Sequence, residues 1–175
     1  MLPTKFGSIS EDGGTMRSVR EGFSAAALAI AWAVSGWARW HDLPTRIPTH
    51  FRLSGQADDW GSANQIFLMP AIALGLYLLL TVVVRFPQGF HYGVAVTEEN
   101  RARLEATALA LIGWLKAELM GLMAVLVALQ VRAAERGSAG GIGIAVLLGM
   151  GAILGTLLVF KSALRRTGSR RRTAN

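Results

Sequence analysis

The chain has 175 residues, about one domain's worth, of which 52% are hydrophobic, and its mean hydropathy of +0.40 is higher than that of ordinary soluble domains. Its formal net charge is +7, yet many of the cations trail the last apolar block and no globular basic domain remains, so no nucleic-acid partner is expected. Cysteine is absent, which excludes disulfides and thiolate metal sites.

The apolar excess lies in four blocks, residues 23–38, 66–84, 106–130 and 142–160. Each is near the roughly 20 residues that a helix needs to cross hydrocarbon. The predicted fold class is therefore all-α, an integral membrane four-helix bundle whose first partner is the lipid bilayer. Residues 1–22, rich in Gly and Ser with mixed charge, read as a mobile cytoplasmic leader. Residues 23–166 read as the transmembrane domain with an outside loop at 41–65, and residues 167–175 as a basic disordered tail.

The first block also has the small residues of a cleavable signal peptide, Ala25, Ala29, Ala31 and Ala33, with Lys5, Arg17 and Arg20 before it. A long hydrophilic lead and Trp32, Trp37 and Trp40 favour a retained interfacial helix instead. Sorting cations by alternating side puts Lys5, Arg17, Arg20, Arg85, Arg101, Arg103 and the tail (Lys161, Arg165, Arg166, Arg170, Arg171 and Arg172) together, against Arg39, Arg46, Arg52, Arg132 and Arg136. The richer side is expected inside. The N and C termini are then cytoplasmic, and the expected location is the bacterial cytoplasmic (inner) membrane, multi-pass.

The loop after the first block is the chemically richest segment. Pro44 and Pro48 fix backbone angles while Gly55 and Gly61 permit turns, so a shaped loop is expected there. His50 with Asp58 or Asp59, and His41 with Asp42, offer imidazole and carboxylate ligands of the kind zinc takes. They lack a compact motif, so Asp58 bonding turn amides over a packed His50 is the competing reading. Trp60 and Trp40 fit an interfacial belt.

The stretch Leu43-Pro44, Ile47-Pro48-Thr49-His50-Phe51, Gly55, Asp58 and Trp60-Gly61-Ser62 resembles the signature of a bacterial family of unknown function. Its best-known relative is the immunity protein of the sporulation-delaying-protein toxin system. Thr97-Glu98-Glu99-Asn100-Arg101 and Leu115-Lys116-Ala117-Glu118 are similar to that family's pattern too, so the resemblance covers about residues 23–130. Where members often have Asn, Pro and Lys, this chain has Arg52, Ala57 and Ala63. The resemblance implies a multi-spanning membrane protein, with immunity or peptide sensing as its best-known example.

The third block begins with a helix start. Thr97 can cap, and Glu98 and Glu99 sit at the positive end of the dipole. Lys116 and Glu118 follow roughly 15 to 18 Å beyond Ala106, which reads as mid-membrane. Charges there serve either as polar glue or for ion, proton or ligand handling. Their separation turns them about 200° apart on a helix, so each needs its own partner. In the fourth block Gly151 and Gly155 form a small-xxx-small ridge, read as packing within the bundle ahead of a homodimer contact.

The leading functional expectation is a noncatalytic protein that recognises a ligand or toxic peptide at the outer surface through His50, Asp58, Asp59 and Trp60, with no cofactor. Transport of a proton, ion or small solute past Lys116 and Glu118 is the first alternative. A metal-dependent membrane enzyme using His50 and Asp58 is the second.

Overall fold

A computed structural model describes residues 8–169 apart from 42, 53 and 139, with side chains described from 14 to 166. Among the described residues there are four α-helices and a short hairpin: α1 (Ser8–Trp40), β1 (Arg46–Phe51), β2 (Ala57–Ser62), α2 (Leu68–Val83), α3 (Glu98–Arg136) and α4 (Ile142–Ser169). A 3-10 turn, Ala63–Phe67, leads into α2.

The alanine-rich run of α1 favours helix, and Pro44 shortly after its end blocks continuation. Pro70 falls in the first turn of α2, where its missing N–H has no intrahelical acceptor to lose. At the start of α3 the Thr97 hydroxyl accepts from the Asn100 backbone N–H at 3.3 Å, and the Asn100 side chain accepts from the Thr97 N–H at 2.8 Å. This is a capping box with the shorter Asn in place of the usual Glu or Gln three residues on. Gly137 closes α3 at φ 77° and donates to the Ala133 carbonyl at 2.8 Å, a left-handed cap that suits glycine.

α3 is the hub. α1, α2, α4 and β1 all pack against it. Ala27, Ala73 and Met120 join α1, α2 and α3 midway along the bundle. Ala38, Ile47, Ile66, Val131 and Ala134 join α1, the hairpin, the 3-10 turn and α3 at one end. Beside them Leu126, Ala133 and Ile142 take in Phe51 from β1. The hairpin thus caps one end of the bundle, far along the helices from the start of α1 and the end of α4.

Among the described residues three helical stretches are long and apolar enough to cross a membrane: Ala63–Val83, Glu98–Arg136 and Ile142–Arg166. That marks the chain as a membrane protein. The apolar part of α1 is shorter and is broken by Ser24 and Ser35, with Arg20, Glu21 and Arg39 at its ends.

Two expectations need correction. The all-α class gains a two-stranded antiparallel sheet, with Arg46 opposite Ser62, Ile47 opposite Gly61 and His50 opposite Asp59. The period-two run of Ile47, Thr49 and Phe51 drives the strand, and Pro48 is tolerated because a two-stranded sheet is all edge. The leader also differs, because α1 already begins at Ser8. Met16, Val19 and Phe23 continue the helical spacing and line a cleft against α3. Residues 1–7 and 170–175 lie outside the described residues, as does much of the expected tail.

Glycine packing falls on a different residue from the one expected. Gly151 and Gly155 face open space, whereas a methyl group at Gly149 would come within 2.8 Å of the Leu122 side chain. Gly149→Leu is expected to lower stability by about 1–3 kcal/mol, and Gly155→Leu to change it by less than about 0.5 kcal/mol. Thermal unfolding in one detergent compares the two.

Candidate functional site

The hairpin is held from below. Ile47 and Pro48 are buried on its bundle side, and the Gln130 amide on α3 donates to the Pro48 carbonyl at 3.0 Å. Ser35 on α1 donates to the Ile66 carbonyl at 3.3 Å, and Arg39 donates to the Asn64 side chain at 3.1 Å. Gly61 leaves room for the end of the Gln65 side chain, which lies where a Cβ would be, with Thr49 Cγ2 2.8 Å from the same point. Gly55 turns the hairpin at φ 85°, with its N–H on the Arg52 carbonyl at 2.8 Å.

All four loop residues singled out from the sequence are exposed on this hairpin. His50 Nδ1 donates to Asp58 Oδ1 at 2.6 Å, and Arg52 Nε lies 3.5 Å from Asp58 Oδ2. Asp58 therefore gathers two cationic or donor side chains instead of bonding turn amides. His50 is not packed beneath the loop, its side chain being 69% exposed. Asp59 turns to its own backbone, where Oδ1 accepts from the Trp60 N–H at 2.8 Å. Trp60 stands beside it, and Arg46 donates to its carbonyl at 3.0 Å.

The hydrogen bond from His50 holds the Asp58 carboxyl below its ordinary value; slight desolvation opposes this, and the His50 and Arg52 charges reinforce it. A depressed folded pKa stabilises the hairpin above the ordinary carboxylate range, and the contribution is lost as pH falls through the folded value. The Asp58 carboxyl carbon should accordingly titrate, by NMR, below the ordinary aspartate range. In His50→Ala it should move up toward that range.

His50 and Asp58 form one imidazole–carboxylate pair, and among the described residues no group of three His, Cys, Asp or Glu comes together. His41 bonds the Trp37 carbonyl at 2.9 Å and stacks on the Trp37 ring. Asp42, its expected companion, lies outside the described residues.

Lys116 and Glu118 have separate partners, as their angular separation requires. Lys116, 1% exposed, donates to Glu21 Oε2 at 2.6 Å and to Thr81 Oγ1 at 3.1 Å. Its ammonium also lies 4.5 Å from the Tyr77 ring centroid. Glu118 accepts from Thr156 on α4 at 2.5 Å. Neither uses Arg39 or Arg85. Thr81 is two residues from the last residue of α2, so the Lys116 cluster sits near one end of the apolar span and not at its middle. Gln130 marks the hairpin level on α3, and 14 residues separate it from Lys116, about 21 Å along the helix. The hairpin group and the buried charges do not share a site.

Residues 26–74 match the family described as Domain of unknown function (DUF1648). The matched stretch runs from α1 through the hairpin and into α2, and stops before the Thr97 and Lys116 segments. No curated protein and no solved structure matches the chain.

Several residues that position these groups were missed by sequence reasoning: Glu21, Thr81, Tyr77, Thr156, Gln130 and Ser35. Glu21 had a usable signal, being an acid two residues ahead of the first apolar block on the cation-rich side. A buried lysine needs such an acid.

Proposed function

We propose that the chain is a four-crossing protein of the bacterial cytoplasmic membrane, with both termini in the cytoplasm, that recognises a ligand at the outer surface without catalysing a reaction. A toxic peptide is the ligand class that fits best. The observation that carries this reading is the His50–Asp58–Arg52 group, displayed with Trp60 on a hairpin whose other face is anchored to α3 by Ile47 and the Gln130 bond. A fixed platform presenting a charge pair and an exposed aromatic ring binds with little ordering cost.

The fourth crossing is α1. It runs beside α3 with Ala27, Ala31 and Ala38 buried, and shows Phe23, Ile30, Trp32 and Trp37 outward, as a lipid-facing helix would. The excess of cations at the end away from the hairpin supports the orientation. In this reading Lys116 and Glu118 belong to the scaffold that holds α1, α2 and α4 on α3.

Two experiments test it. Because the chain has no cysteine, Asp59→Cys gives a single thiol, which a membrane-impermeant maleimide should label in intact cells; protection until lysis reverses the orientation. Asp58→Ala and His50→Ala, expressed at normal levels, should each weaken peptide binding or protection about tenfold, the loss of one charge-assisted hydrogen bond. Wild-type behaviour of both toward every peptide the intact protein resists removes the role of the hairpin.

A further inference from the structure

Where α4 nears its end, a cavity of about 340 Å³ opens between α3, α4 and the loop that joins α2 to α3. Lys161 and Arg165 stand one turn apart on α4 and both line it, with Leu157 one turn nearer the hairpin end. Tyr92, Gly93 and Val94 of the loop also line the cavity. Gly93 turns that loop at φ 67°. The Tyr92 hydroxyl donates to the Pro87 carbonyl at 3.1 Å, and the Phe90 ring meets Tyr92 edge-on at 6.4 Å between centroids. The loop wall is therefore held by its own contacts, with nothing needed from α4.

Charge in this cavity is one-sided. No acid lines it, and among the described residues the side chains of Lys161 and Arg165 make no hydrogen bond or ion pair. The α3 acids Glu105 and Glu118 bond Arg101 and Thr156 instead. Both cations are exposed, so a ligand reaches them. Side chains one helical turn apart have Cβ atoms about 5–6 Å from each other, and like charges so placed repel. A single phosphate between them touches both and removes the repulsion. Toward the hairpin end the same face of α4 continues through Leu157 and Leu154, 40% and 56% exposed. The order along α4 from its end inward is thus cation, cation, leucine, leucine, the order of headgroup and tail in a phospholipid standing in that leaflet.

We propose that this cavity binds one anionic phospholipid from the leaflet on the side where α4 ends. Its phosphate sits between Lys161 and Arg165, its headgroup lies against the loop wall, and one acyl chain runs along Leu157 and Leu154. Two cations without an acid select a net negative headgroup over a zwitterionic one, whose ammonium would meet no carboxylate. A soluble phosphate would serve the cations but leave the leucines uncovered. The site shares no residue with the hairpin and stands or falls separately from the reading given above.

Native mass spectrometry of the full chain, released from nanodiscs holding equal phosphatidylglycerol and phosphatidylcholine with the same acyl chains, tests the proposal. Wild type should retain one phosphatidylglycerol over phosphatidylcholine by about tenfold. Lys161→Gln/Arg165→Gln should bring this to parity with thermal unfolding unchanged, since both residues are exposed. Arg171→Gln/Arg172→Gln, which removes equal charge from the tail, should keep the preference. Val94→Trp, which fills the cavity and leaves every charge in place, should abolish it. Parity in wild type, an equal loss in the tail variant, or a preference that survives Val94→Trp overturns the proposal. In lipid-free detergent, glycerol phosphate should leave no adduct; a retained one makes the occupant a soluble anion and overturns the lipid.

Discussion

Glu21→Ala is expected to destabilise the chain by about 3 kcal/mol or more, because it strands a buried ammonium. The Lys116 side chain is 1% exposed while that of Glu21 is 39% exposed, so the two halves of this ion pair are not equivalent. Removing the carboxylate leaves Lys116 with only the Thr81 hydroxyl and the Tyr77 ring face. Removing the lysine leaves a carboxylate that water already reaches. Lys116→Met should therefore cost about 1 kcal/mol or less, with the methionine filling the volume and its sulfur resting near Tyr77. The double variant Glu21→Ala/Lys116→Met should recover most of what Glu21→Ala loses. Unfolding in mixed micelles followed by tryptophan fluorescence measures all four corners of the cycle. Equal losses from the two single variants would show that Lys116 has another route to solvent or to charge.

The second large effect is expected at Ile47. It is fully buried where the hairpin meets Ala38, Ile66, Val131 and Ala134. Ile47→Ala removes buried methylenes and opens a cavity, a loss of about 2–5 kcal/mol. That loss falls on the seam between hairpin and bundle, so β1 and β2 should loosen before the helices do. Amide hydrogen exchange should quicken across residues 46–62 while the centre of α3 stays protected. Ligand recognition should weaken with it, although His50, Asp58 and Trp60 are untouched. Unchanged exchange in the hairpin would mean that the Gln130 bond and Phe51 suffice to hold it.

The helices were legible in the sequence because the solvent that shapes them is itself apolar. Continuous apolar length gave α2, α3 and α4, and the Thr97 cap placed the start of α3 where the structure has it. α1 was legible only in its Ala-rich half. Its first half carries charge, and the helical spacing of Met16, Val19 and Phe23 there is too sparse to stand out beside the apolar blocks. The hairpin was hidden by its own prolines and glycines, which signal a loop more strongly than three alternating residues signal a strand. Composition offered His50 either Asp58 or Asp59 as a companion without choosing between them. The choice of Asp58 depends on how the two antiparallel strands meet, a tertiary fact. Placing Lys116 at mid-membrane assumed that hydrocarbon begins at Ala106, whereas α3 is 39 residues long, about 58 Å. It overhangs a bilayer core of roughly 30 Å, so sequence distance from its apolar start says little about depth.

The dependence of α1 on α3 also sets an order of events during synthesis. α1 leaves the ribosome first, but the ion pair of Glu21 spans 95 positions of chain and the Ser35 acceptor lies 31 positions ahead. Until those segments have emerged, a weakly apolar helix holds an unpaired acid and an unpaired hydroxyl. Its docking is thus deferred to the arrival of α3, which makes the third helix the step that commits the first.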